Sequence, residues 1–351
     1  MLITEPVKKL TQPKPIGGKG NMRIYACGGC GTNIVAKMNL STDVIEGYAG
    51  IEVAYIDASN SNQFQGIMND SNTLFISEKG SGSHRRTNYE QISEMRQTII
   101  KQFPPHDINI VVHSASGGSG SVIGPVLVSE LLDRDQNVVV IMIGSIQNVT
   151  YINNTINTIA SMEQIADKRN RPVPVFYIEN PVQGSRREVD QQAQGILGIL
   201  SVIYSGQNRE VDQEDLTNHL NYNRITKHRP GIIYMDITGD DEINLDKGER
   251  VITAITLEDS DTISSLGSDV ELQIHGIAHE KVIYKNESNS GDQSVTGLRL
   301  PLHYITIAGR FQNIMRRLDE LRQTYYESSQ AFVQPKTIPP QGVVSDDGLV
   351  L

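Results

Sequence analysis

The chain has 351 residues, 38% hydrophobic and 21% charged, the make-up of a globular protein, and at ~150 residues per domain it predicts two domains or one with a large appendage. Its 31 Lys and Arg against 41 Asp and Glu give a net charge of −10, which excludes a protein that coats nucleic acid through bulk charge. No run approaches the ~18 apolar residues of a membrane span, two cysteines are too few for a secreted disulfide scaffold, and the N-terminus MLITEPVKKLTQPKP lacks a signal peptide's apolar core, so the expected compartment is the cytoplasm, with no membrane partner.

Residues 1–21 carry Pro6, Pro13, Pro15 and a glycine-rich run, which predicts an arm rather than a packed element. Residues 22–26 (MRIYA), the loop CGGCGTN and the stretch IVAKMNL read as strand, glycine loop and helix. A second strand is expected at 51–56, ending at Asp57, and a third at 73–76, before the loop 79–86 (KGSGSHRR). Tyr89–Gln102 places Ile92, Met95, Ile99 and Ile100 on one helical face. Strand 109–113 leads through the loop 114–121 (SASGGSGS) into a helix, and strands 137–143 and 173–178 flank a helix over 152–167. Strands alternating with helices predict an α/β fold: a doubly wound, mainly parallel sheet over residues 22–184.

After Asn180 the pattern changes. Residues 186–204 read as one long central helix, with a second helix starting near Asp212, so 185–227 form a connecting unit. From Gly231 strands dominate: GIIYMDITG, ERVITAITLE, VELQIHGIAH, EKVIYKN and LPLHYITIAG, the last two separated by a polar loop over 287–297. This predicts a second α+β domain with a mixed or antiparallel sheet over 228–310, then a charged helix over 311–332 and a flexible acidic tail over 333–351.

Three constellations carry chemistry. The loop at Gly28, Gly29, Cys30, Gly31, Thr32 and Asn33 sits between a strand and a helix, where backbone N–H groups and the helix dipole suit an anion such as a phosphate chain. A tight turn without ligand is the plain alternative, and Cys27-Gly-Gly-Cys30 also reads as a redox CxxC. The second loop packs Ser114, Ser116, Gly117, Gly118, Ser119, Gly120 and Ser121 into the same context, and Gly80, Ser81 and Gly82 give a third. Loops at the carboxyl ends of parallel strands converge on one crevice, where Asp57 would touch a ribose or a magnesium shell. No GxxxxGK[ST] is present, so this is not a P-loop protein. The third constellation is Asp212-Gln-Glu-Asp215: Asp212 is a good N-cap, and carboxylates three apart can also orient a water.

In this order the motifs resemble the tubulin/FtsZ superfamily of GTPases. The loop GGCGTN is similar to tubulin's GQCGNQ, and residues 116–121 resemble the family's GGGTGSG, departing at Ser116 and Val122. Tyr177-Ile-Glu-Asn180 is similar to the segment whose asparagine reads guanine, and VDQEDL resembles the loop whose aspartates activate water. The extension SGSVIGPVLV looks like the phage-encoded branch of the family, and the overlap covers about residues 24–320. The resemblance implies GTP and GDP as ligands, with phosphates held by the three glycine loops and magnesium held through the GTP. It implies Asn180 on the base, with Asp190, 22 residues before Asp212, as a second guanine contact. Asp212 and Asp215 would act on the GTP of the neighbouring subunit in a head-to-tail filament. The implied partner is therefore the chain itself, with the C-terminal tail clipping onto the next subunit. The implied role is positioning phage DNA in the cytoplasm of a bacterial host, with an adaptor to DNA or capsid rather than direct contact. A plasmid-partition homologue, a GTP-binding scaffold and a dinucleotide-dependent oxidoreductase are the other readings.

Overall fold

The computed structural model describes residues 19–38, 46–77, 79–240, 242–259, 264–267, 270–282 and 298–330. Residues 1–18 of the expected arm, the polar loop 287–297 and the acidic tail 333–351 lie outside the described residues. The chain runs β1 (Asn21–Cys27), α1 (Gly28–Ala36), β2 (Gly50–Asp57), β3 (Thr73–Phe75), α2 (Tyr89–Gln102), β4 (Ile108–Ser114), α3 (Gly120–Asp133), β5 (Val138–Ser145), α4 (Val149–Arg169) and β6 (Val173–Asn180). It continues through α5 (Arg186–Ile203), α6 (Gln213–Leu220), β7 (Ile232–Thr238), β8 (Arg250–Glu258), β9 (Leu272–Ile277), β10 (Leu302–Ala308) and α7 (Arg310–Gln330).

The strands form one ten-stranded sheet in the order β3-β2-β1-β4-β5-β6-β7-β10-β8-β9. From β3 to β7 every pairing is parallel, while β10 is antiparallel to both β7 and β8. Side chains alternate across the central strands, and both faces are covered. Ile24, Val112 and Ile143 face Leu197 and Leu200 of α5, whereas Tyr25, Val111 and Val140 face Leu127, Ile159 and Leu318 of α3, α4 and α7. This double burial is why the strands read as unbroken apolar runs.

Two expectations are revised. The second sheet does not stand apart, because β6 joins β7 through the parallel pairs Val173↔Ile232, Pro174↔Ile233 and Val175↔Tyr234. The sequence hides this because some fifty residues of helix and loop separate the two strands. In EKVIYKN, the described residues Glu280, Lys281 and Val282 form a turn closed by Val282 N–H on the His279 carbonyl, so that Val282 is buried without a ladder. The rest of that segment lies outside the described residues.

α5 spans the sheet from edge to edge. It opens at the carboxyl end of β6, and near its far end Ala49 N–H bonds the Ser201 carbonyl just ahead of β2. Among the described residues no helix is long and apolar enough to cross a membrane.

Candidate functional site

A cleft of about 530 Å³ opens over the carboxyl ends of β1, β2, β4, β5 and β6, lined by the three glycine loops and the start of α5. Two helices open into it with bare N-termini. Neither Cys27, the N-cap of α1, nor Ser119, the N-cap of α3, accepts a capping hydrogen bond from its helix's N–H groups through its side chain. By contrast, α4, α5 and α6 are capped by the side chains of Asn148, Ser185 and Asp212. A helix leaves its first N–H groups without partners. At α1 and α3 those groups and the positive dipole ends are thus directed at one space, the physical requirement for binding a phosphate chain.

The loops are fixed to one another by side chains. Ser114 Oγ accepts the N–H groups of Ser116 and Gly117 at 3.2 and 3.1 Å, and the Ser121 hydroxyl donates to the Gly117 carbonyl at 2.6 Å. Asn154 on α4 donates to the carbonyls of Ser83 and Ser116, tying the third loop to the second. The hydroxyls of Ser81 and Ser119 lie 2.7 Å apart. Several glycines of these loops are sterically required, Gly28 and Gly118 among them. Gly28 has φ +68°, and a Cβ there would lie 2.7 Å from the Gly120 nitrogen; a Cβ on Gly118 would lie 2.5 Å from the Ser81 Cβ.

At the other end of the cleft Asn180 closes β6 beside Ser145, its register partner on β5. The cleft carries both signs of charge. Lys37 Nζ meets Asp190 Oδ2 at 3.4 Å, and Arg186 donates to the Gln147 side chain. Asp57, almost fully buried, accepts the Ala58 N–H at 2.7 Å and the Asn62 amide at 3.0 Å; burial pushes its carboxyl above the usual range.

Most of the expected ligand residues line this one space: Gly29, Cys30, Asn33, Asp57, Gly80, Ser81, Ser116, Gly117, Gly118, Ser119, Gly120, Asn180 and Asp190. Five do not. Gly28 and Gly31 lie against Gly120 and Val112, Thr32 is fully buried on the far side of α1, Ser121 turns inward onto the second loop, and Gly82 only turns the third. These shape the cleft rather than face it. Sequence reasoning missed Lys37, Asn62, Ser145, Gln147, Tyr151 and Arg186, which line it too. Only proximity to the expected residues in the fold brings them in; Arg186 alone, in the first turn of a helix that starts at the cleft, had a usable signal.

The redox reading is corrected. Cys27 and Cys30 are free thiols, Cys27 donating weakly to the Tyr25 carbonyl. Burial, aided by the Asp190 charge, pushes the Cys30 thiol up to about 12, and burial pushes Cys27 up as well. A redox CxxC needs the opposite shift.

Asp212 and Asp215 stand outside the cleft. Asp212 Oδ1 accepts the N–H groups of Glu214 and Asp215 at 2.8 and 2.9 Å, and Asp215 Oδ2 accepts the Asp212 N–H at 3.0 Å, a complete capping box. Each carboxylate spends one oxygen on the cap and keeps the other for solvent. α6 itself is seated at the amino ends of the strands, where Asn137, just before β5, donates to Thr217, and Arg171, just before β6, donates to Asn221. A seven-residue strand such as β4 separates that edge from the cleft by about 23 Å. The pair therefore cannot serve its own chain's cleft. Among the described residues no group of three or more His, Cys, Asp or Glu side chains could hold a metal ion.

Residues 21–169 match the family model described as Tubulin/FtsZ family, GTPase domain. The phage tubulin-like protein of Pseudomonas phage PhiPA3 is 26% identical over 323 residues, covering 90% of this chain and 95% of that one. The phage tubulin-like protein of Pseudomonas phage phiKZ is 30% identical over 219 residues, covering 59% of this chain and 64% of that one. A solved protofilament of TubZ from bacteriophage PhiKZ superposes with a TM-score of 0.75 at 25% identity, covering 93% of this chain and 96% of that one. Residues 21–169 thus match the GTPase domain of the tubulin/FtsZ family, and the chain shares the fold of a phage TubZ protofilament subunit.

Proposed function

We propose that the protein binds GTP in the cleft, assembles head to tail and hydrolyses GTP to GDP and phosphate at the contact between subunits. The observation that carries this reading is the placement of the two halves of the chemistry at opposite edges of one sheet. The bare N-termini of α1 and α3 lie at one edge, and the Asp212–Asp215 pair at the other. A stacked copy brings the second edge of one subunit onto the cleft of the next.

In that geometry the first N–H groups of α1 and α3, which no side chain caps, neutralise the phosphate charge. Asn180 and Asp190 take the base end, and Lys37 and Arg186 add positive charge along the cleft. The uncommitted oxygens of Asp212 and Asp215 would polarise and orient the attacking water, as general-base positioning requires. The cleft offers hydroxyls and the Asp57 carboxylate, hard oxygen donors of the kind magnesium accepts when phosphate oxygens complete its shell. Magnesium would offset charge on the transferring phosphate.

The phage origin of the relatives and the protofilament form of the solved neighbour support a filament in the cytoplasm of an infected bacterium. There it would position phage DNA or the replication compartment. At a net charge of −10 the link to DNA or capsid would run through an adaptor. The tail, with Asp346, Asp347, Leu349, Val350 and Leu351, would clip the neighbouring subunit.

The test is phosphate release from GTP, with ATP as control, across protein concentrations and alongside sedimentation. Turnover per molecule should appear only above a threshold concentration, together with pellets, and only with GTP. Constant activity per molecule at all concentrations would overturn the shared site.

A further inference from the structure

α6 is only eight residues long, too short to hold its own orientation, yet it carries the Asp212–Asp215 box. Two polar networks seat it. At its carboxyl end Arg171 Nε and Nη2 both donate to Asn221 Oδ1, at 3.1 and 2.9 Å. The Asn221 amide donates in turn to Asn137 Oδ1 and to the Thr217 carbonyl, and the Asn137 amide donates to Thr217 Oγ1 at 3.1 Å. Asn221 is 4% exposed, so this network sits away from water. It belongs to the GTPase half of the sheet, at the amino ends of β5 and β6.

The second network belongs to the other half. His219 on α6 is 1% exposed, and its Nδ1 lies 3.0 Å from Thr253 Oγ1 on β8. Thr253 Oγ1 lies 2.8 Å from Thr306 Oγ1 on β10, and the Thr253 N–H also donates to Thr306 Oγ1. Both threonines are fully buried. Burial pushes the imidazole down to about 3, so the ring is neutral and can accept from the Thr253 hydroxyl.

We propose that Arg171 and His219 are positioning residues for hydrolysis. Through Asn221 and Thr253 they clamp α6 between the two halves of the sheet and hold the Asp212–Asp215 pair at a fixed angle to the nucleotide of the next subunit. The inference rests on the head-to-tail reading above. Neither residue touches substrate. Their effect is on how well the aspartates meet the water, so removing them lowers turnover within filaments rather than the affinity for GTP at the opposite edge.

The test compares Arg171→Ala, Asn221→Ala, His219→Leu and His219→Asn with Arg169→Ala. Arg169 serves as control because it pairs with Asp133 and has no link to α6. Three quantities are read: GTP affinity of the unassembled chain, critical concentration, and phosphate release per assembled subunit. Arg171→Ala, Asn221→Ala and His219→Leu should lower release per assembled subunit at least tenfold, with GTP affinity within twofold of the parent. His219→Asn returns an acceptor to the Nδ1 position and should recover part of the loss, and Arg169→Ala should stay within twofold. Unchanged release per assembled subunit in Arg171→Ala and His219→Leu overturns the clamp. So does loss of assembly in folded variants with melting temperatures like the parent's, since the residues would then serve the contact and not the angle. If the parent chain itself turns over GTP independently of assembly, the head-to-tail reading fails first, before any variant is compared.

Discussion

Lys37 Nζ reaches Asp190 Oδ2 at 3.4 Å, joining two residues 153 positions apart in the lining of the cleft. The Lys37 side chain is half exposed and that of Asp190 one-fifth exposed, so the pair itself contributes little to stability, about 0.2–1 kcal/mol. Its significance is positional. α5 enters at the cleft, and Asp190 sits on its second turn with a cation already beside it.

Asp190→Ala should therefore weaken GTP binding far more than it weakens the fold. Loss of a hydrogen bond to a charged group, at about 1.5–3 kcal/mol, corresponds to roughly 10- to 100-fold in affinity. The melting temperature should move by no more than about 2 °C. Titration with a fluorescent GTP analogue, paired with a thermal melt, separates the two. Equal loss of affinity and stability would return Asp190 to a structural role.

Gly28 and Gly82 both adopt positive φ, +68° and +56°, but they differ in their surroundings. A Cβ on Gly28 meets the Gly120 nitrogen at 2.7 Å, whereas a Cβ on Gly82 meets nothing within 4 Å. Gly28→Ala must push the second loop away from the first and should weaken GTP binding more than tenfold. Gly82→Ala bears only the left-handed strain, about 1–2 kcal/mol, and should bind GTP within threefold of the parent. Equal behaviour of the two variants would show that the loops do not need their close approach.

What the sequence revealed, and what it hid, follows from the range of the interactions. The glycine loops were legible because a strand, a glycine run and a helix are local, and Asp57 and Asn180 because each closes an apolar strand. The long helix could be read from Val189, Ala193, Ile196, Ile199, Leu200 and Ile203 at helical spacing, of which Val189, Ala193, Leu200 and Ile203 are buried. Lys37, Asn62 and Gln147 gave no signal, since each reaches the cleft only through the fold. The continuity of the sheet was hidden for the same reason: Val173 pairs with Ile232 only because α5 carries the chain across the sheet face and back. His113 was also missed. It is fully buried between β4 and α3, where a Cβ on Gly124 would strike its ring at 2.5 Å, and its Nδ1 lies 3.2 Å from the Ser114 carbonyl at the root of the second loop.

Asp215 carries a cap and, in our reading, a water, and one substitution separates the roles. Asp215→Asn keeps a side-chain oxygen to accept the Asp212 N–H, so stability should fall by less than about 1 kcal/mol. The amide is no base, so phosphate release per assembled subunit should fall by roughly 10²- to 10⁴-fold. Filaments should still pellet with GTP and persist longer. Full turnover in Asp215→Asn would reduce the box to a helix cap.

Two histidines set the acid limit of the fold. Burial pushes His113 down to about 4 and His219 to about 3, from an ordinary value of 6.5. Both are neutral in the folded chain, whereas the unfolded chain binds a proton at each site once the pH drops below 6.5. Stability is therefore complete above 6.5 and is lost as the pH falls toward the folded values, at about 1.4 kcal/mol per pH unit for each ring. At pH 5 the two together should cost on the order of 4 kcal/mol relative to pH 8. His106, pushed down by burial despite its Glu52 partner, acts in the same direction. Asp57, whose carboxyl is raised, acts in the opposite one, because protonation favours its folded form. Urea unfolding at pH 8 and pH 5 measures the sum, and His219→Asn removes one of the two rings, so it should cut the loss by about half. Equal stability at both pH values would mean that the rings gain their protons without unfolding, which the fully buried setting of His113 and the Thr253 contact of His219 both oppose.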